Sequence, residues 1–246
     1  MSLAMAASAA MPRQRSKNEP RLAPADATQI LLGWQRNARS ALKWLHRDWL
    51  ATALGIDPAS RNEAALAALR ERCDEACSLG ILRVLLPSPP TLDAFIATPA
   101  VRLDALPVGT GLRVLRMQAL LARRAEVRRL VDRSTRTRLA DWIGCPLDDL
   151  LGKAAPEAPS LAEAKRERAG THALGSLDAD VLALEGLALL PLMDTYPMML
   201  RLALPRADAG QATAHAKPSE DDCEDAFALL RERLVPLLPE YAWLSG

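Results

Sequence analysis

The sequence predicts an all-α protein, an irregular multi-helix bundle with a disordered N-terminal arm, and three observations carry that expectation. Alanine and leucine supply 45 and 44 of the 246 residues, whereas valine and isoleucine together supply 13; the first pair favours helix and the second favours sheet. Apolar residues recur every three or four positions over much of the chain, the spacing of helices that bury one face. Capping residues and glycines punctuate those runs. Half of the residues are hydrophobic and a quarter are charged, enough to bury a sizeable core, which excludes disorder throughout.

Residues 1–25 hold Pro12, Pro20 and Pro24 with few large apolar side chains, the composition of a disordered arm. Its small apolar start precedes Arg13, Arg15 and Lys17, the reverse of a secretory signal. A first helical region is expected over residues 26–151. Asp26 opens it in a capping box, and Leu31, Trp34, Ala38, Leu42, Leu45, Trp49 and Ala53 form one stripe that predicts a single helix ending at Gly55. Ser60 and Glu63 open a second helix with Leu66, Leu69, Cys73, Ala76 and Cys77 on its stripe and Gly80 as its stop. The run 81–86 before Pro87 reads as a buried loop or helical turn. Thr91 caps a short helix reaching Ile96, and another short piece fits between Pro99 and Pro107. Thr110 is expected to cap a helix reaching about Val131, followed by a shorter one from Thr135 to Ile143 that Gly144 stops.

Residues 152–175 turn to alanine, proline and charge and read as a linker or mobile loop. Beyond them a C-terminal helical region, residues 176–246, is expected to pack on the first. Ser176 opens a helix of Leu177, Val181, Leu184 and Ala188 that is apolar nearly all round, which implies burial on most faces. Ser219 with Glu220, Asp221, Asp222, Glu224 and Asp225 starts a last helix against its own dipole, with Ala226, Phe227, Leu230 and Leu234 inward. The apolar stretch 181–204 is core and not a membrane span, because Glu185, Asp194 and Arg201 interrupt it and Pro191 and Pro197 break it.

Motifs of catalysis are incomplete. His46-Arg47-Asp48 matches a kinase catalytic-loop triplet, yet no glycine-rich loop, strand lysine or Asp-Phe-Gly accompanies it. Cys73 and Cys77 share a helical face without two further ligands nearby, and Gly109-Thr110-Gly111 lacks a Walker lysine. No enzyme activity, cofactor or metal is therefore expected. Four cysteines suit a reducing compartment rather than a disulfide framework. The net charge of +1 produces no global field.

Local charge is another matter. Residues 113–138 carry arginines at 113, 116, 123, 124, 128, 129, 133, 136 and 138 against Glu126 and Asp132, a net of +7. Such a face suits docking on an acidic protein, phosphate or nucleic-acid binding, or a solvated surface partly neutralised by residues 220–225. The lack of accompanying aromatics places nucleic acid second, as the alternative function. Trp44 lies off the first helix's stripe and is a candidate interface anchor.

The block LRVLRMQALLARRAEVRRLVDRSTRTRLADWIG, residues 112–144, resembles the arginine-rich region of the SctK-like sorting-platform proteins of bacterial type III secretion systems, particularly the Hrp-type branch. The shared pattern is small and leucine residues, paired arginines, Arg-Arg-Leu-Val-Asp-Arg, a short helix and a glycine. The resemblance implies a largely helical cytoplasmic protein without catalytic activity, peripheral to the inner-membrane apparatus. It implies an adaptor joining the cytoplasmic domain of the inner-membrane ring protein to the sorting-platform pod protein, with no nucleic acid bound and no membrane insertion. It marks Arg123, Arg124, Arg128, Arg129, Leu130 and Arg133 as candidate protein-binding residues.

Overall fold

The structure is a computed structural model and describes residues 23–56, 63–71, 74–152, 173–192, 198–206 and 220–244. Among these residues every regular element is helical. Most of the arm and linker expected at 1–25 and 152–175, and the capping serines 60 and 219, lie outside the described residues.

Helix α1, Pro24–Arg39, begins two residues before the expected Asp26. Proline at the first helical position presets φ and lacks only an N–H that would be unbonded there. Asp26 sits in the first turn instead of capping it. The single long helix expected to reach Ala53 is in fact three: α1, α2 (Ala41–Trp44) and α3 (Arg47–Ala53). The Ser40 hydroxyl donates to the Arg36 carbonyl at 2.9 Å, competing for a backbone acceptor and bending the chain. Leu45 is extended, and the His46 ring caps α3 by accepting from the Asp48 N–H. On α1 the buried line runs through Ile30, Asn37 and Ala38, while Leu31 faces solvent.

Helices α4 (Glu63–Glu71) and α5 (Glu75–Leu85) also split one expected helix, because Asp74 accepts from the Ala76 N–H at 2.7 Å and starts a new one. Gly80 does not end it. The helix continues through the expected loop to Leu85, since burying Ser78 and Leu82 on one face outweighs the modest helix penalty of one glycine. Helix α6, Leu92–Ala97, is capped by Thr91 as expected. A 3-10 helix, Pro99–Ala105, then leads to α7, Val108–Ala122. Helix α7 starts ahead of Thr110 and stops at Arg123 rather than near Val131. The break at Arg123 leads into α8, Arg124–Arg129, and then α9, Arg133–Ile143, which Asp132 caps and Gly144 closes at φ 72°. Helix α10 is Leu147–Leu151.

After a 3-10 turn at Leu174–Ser176 comes α11, Ala179–Ala188, capped by Asp178 and not by Ser176. The chain resumes in a 3-10 helix at Met199–Ala203, then α12, Glu220–Leu237, and a 3-10 helix at Pro239–Leu244. Phe227, Leu230 and Leu234 of α12 are buried, as their spacing predicts.

Helix α7 is the axis of the molecule, and α11 lies closest to it. A Cβ added to Gly186 would stand 1.8 Å from the Leu115 carbonyl oxygen, so only glycine allows the two backbones to approach this far. Leu115, Leu120, Leu139, Leu182 and Leu230 share the main core. A second core gathers Ala38, Ala41, Leu45, Leu82, Met199 and Leu202. The 3-10 helix Met199–Ala203 serves both, with Leu200 in the first and Met199 and Leu202 in the second. Buried Asp104 fixes it there by accepting from the Met199 N–H at 2.8 Å and the Leu200 N–H at 2.9 Å. Asn37 completes the seam by donating to the carbonyls of Asp104 and Leu106. Trp49 pins the same strap, donating from Nε1 to the Leu204 carbonyl at 3.0 Å, with the guanidinium groups of Arg201 and Arg206 over its ring.

Candidate functional site

The arginine-rich stretch does not form one continuous basic face. Helix breaks at Arg123 and between Leu130 and Asp132 turn its side chains in different directions. Arg116 is largely buried; its Nε donates to the Ala179 carbonyl at 2.9 Å and its Nη1 to that of Trp142 at 3.3 Å. Burial pushes its guanidinium below the ordinary arginine value. Arg138 donates to the Gly175 carbonyl at 2.8 Å while covering the Trp142 ring. Arg136 pairs with Asp148 of α10 at 3.0 Å. These three tie α9 and α7 to neighbouring elements.

Arg123 is the largest departure from the expected docking set. Its side chain is 6 % exposed and pairs with Glu185 of α11 at 2.6 Å and with Glu126 of α8 at 3.2 Å. Glu126 in turn accepts from the Leu174 N–H. A guanidinium committed to two carboxylates inside the bundle is a fold-holding group and presents no surface to a partner. Arg124 and Arg128 are half-buried, and Arg128 donates to the Leu151 carbonyl at 3.5 Å. Arg129 and Arg133 are exposed, and Leu130 between them packs on the main core. Trp44 is placed far from this group, against the second core, and its Nε1 donates to the Asn37 carbonyl at 2.9 Å.

What the structure does bring together is a corner. Val127 anchors its near side at zero exposure, and Leu130 holds its turn. On the far side Asp132 accepts from Thr135, through both its hydroxyl and its N–H, and from Ser134. Those bonds, led by the Thr135 hydroxyl, hold the Asp132 carboxyl down at about 2. Between these supports Val131 is 92 % exposed. The apolar spacing that predicts one helix to about Val131 puts this residue inward with Val127 and Leu130; the helix ends at Arg129 instead, and Val131 turns out to solvent.

Helix α12 adds a charge that no local reading could supply. Its Arg233 guanidinium lies against Gly152, 2.6 Å from where a Cβ would stand, just beyond the Leu151 carbonyl that Arg128 reaches. Cations from α8 and α12 thus converge on the C-terminal end of α10, the negative end of a helix dipole. At the other end of α12, Glu224 and Asp225 are exposed in its opening turns. The groups of the corner are guanidinium donors, one engaged carboxylate and an apolar side chain, a set able to hold an anionic surface. Cys145, just before α10, is half-buried, and burial with the charge of Asp149 pushes its thiol up, away from the reactive thiolate.

No helix among the described residues is long and apolar enough to cross a membrane. Neither a curated protein nor a solved structure matches the chain. The sequence model of HrpB4, described as a bacterial type III secretion protein, matches residues 22–240 and so spans every helix from α1 to α12. In agreement with the Hrp-type resemblance of its arginine-rich block, the chain belongs to the HrpB4 family of bacterial type III secretion proteins.

Proposed function

We propose that this protein is a non-catalytic adaptor of the type III secretion sorting platform, joining the cytoplasmic domain of the inner-membrane ring protein to the pod protein. The supporting observation is that membership of a secretion-protein family over residues 22–240 coincides with a helical body carrying separate surfaces of opposite sign. The corner around Arg129 and Arg133 is basic, and the start of α12 with Glu224 and Asp225 is acidic. Opposite charges on one rigid body let two partners be told apart and oriented. The protein works on the cytoplasmic side of the apparatus, and its buried polar groups hold helices together rather than serve a reaction.

The test is co-purification of the tagged protein from its host grown under secretion-inducing conditions, with nuclease treatment of half the sample. Recovery of both ring and pod proteins, unchanged by nuclease, is the expected result. Recovery of nuclease-sensitive material without either protein would replace this reading with nucleic-acid binding through the basic corner.

A further inference from the structure

We infer that the α8–α9 corner is the docking element for an acidic protein segment bearing an apolar pocket, with Val131 as the apolar knob and Arg129 and Arg133 as the flanking charges. This rests on the adaptor reading and names the chemistry of one of its two partners. Val131 is the most exposed of the large apolar residues in the described chain, at 92 %. It sits on a stiff turn, between fully buried Val127 and the hydrogen-bonded cap at Asp132, so holding it in place on binding costs little conformational entropy.

Charge complementarity identifies the occupant. Exposed Arg129 and Arg133 bracket the valine. Asp132, the acidic residue within the corner, spends its oxygens on Ser134 and Thr135. A polyphosphate backbone has no use for an apolar knob at the centre of the positive field, and no aromatic ring stands beside Val131 in the sequence to stack a base. An acidic protein surface uses both features: desolvation of the valine in a pocket supplies affinity, and the surrounding arginines supply orientation and on-rate.

The experiment titrates purified ring cytoplasmic domain and purified pod protein, separately, into the full-length protein and into two variants, Val131→Asp and Arg129→Glu/Arg133→Glu. A short DNA duplex serves as a third probe, and every titration is run at low and high salt. All three positions are solvent-exposed, so unchanged circular dichroism and melting are expected, and Val131→Ser stands in should Val131→Asp disturb the α9 cap. One partner is expected to lose at least about tenfold in affinity with each variant while the other is unaffected. Loss with the arginine pair but none with either valine variant would overturn the knob. Unchanged binding of both partners would overturn the corner and leave the adaptor standing. Failure of the unsubstituted protein to bind either partner would remove both, and duplex binding abolished by the variants would assign the corner to nucleic acid.

Discussion

At the scale of single residues, arginines only a few positions apart in one basic run do unlike work, and neighbours within six residues separate cleanly. Arg123 is enclosed between Glu126 and Glu185, whereas the Arg129 side chain is exposed. Arg123→Ala leaves Glu185, 17 % exposed, without its closest partner and is expected to cost about 3 kcal/mol in urea unfolding. Arg129→Ala should change the same measurement by less than about 0.5 kcal/mol. Asp132 supplies a pH signature. Its carboxyl is depressed to about 2 by Thr135 and Ser134, so its cap is fully present above the ordinary carboxylate value. The cap is then lost as pH falls through about 2. Amide resonances of Ser134 and Thr135 should report fraying of α9 between roughly pH 4 and 2. In Asp132→Asn that acid step should vanish.

At the scale of elements, glycine tests where the sequence was legible and where it was not. Gly144 ends α9 in the left-handed conformation just where its position after an apolar run predicts. Gly80 looks the same in sequence yet lies inside α5, because the next turn of helix, with Leu82, still has a core to enter. Nothing lies within 4 Å of a Cβ built at Gly80, and Gly80→Ala is expected to raise stability by up to about 1 kcal/mol. Gly186→Ala should do the opposite, costing about 3 kcal/mol or more as α11 is forced off the Leu115 carbonyl. Both are read from chemical denaturation. The inward face of α12 followed from periodicity alone, whereas α11, expected to carry Val181, Leu184 and Ala188 on its stripe, buries Leu182, Ala183 and Gly186 instead. The breaks at Ser40 and Asp74 did not follow from it, since each depends on a side chain bonding to the backbone in competition with the helix, and the one at Arg123 coincides with a pair to Glu185 sixty-two residues away, about which local spacing is silent.

At the scale of the whole molecule, two cores are joined through one polar seam. Asp104, Asn37 and the 3-10 helix Met199–Ala203 form it, and no local pattern marks residues so distant as partners. Asp104→Ala leaves two buried N–H groups without acceptors, and the seam should weaken before either core does. Hydrogen exchange is expected to show α1 to α5 opening at lower free energy than α7, α11 and α12, where the unsubstituted protein opens nearer to one unit. The candidate site was half legible for the same reason. The sequence displays the charge of residues 113–138, but the sorting of those arginines into interior and surface, and the arrival of Arg233, come from tertiary packing.

The composition itself then acquires a meaning. The chain has 26 arginines and 5 lysines, and buried Arg102 shows what that preference serves. Its one guanidinium donates to the carbonyls of Phe95, Ile96 and Trp243, a reach across three acceptors that a lysine's point charge does not reproduce. An arginine-selective dicarbonyl reagent should therefore label the protein in two phases, the surface groups at once and the interior ones at the rate of unfolding. Covalent labelling of guanidinium groups would thus track opening of the native state without any engineered probe.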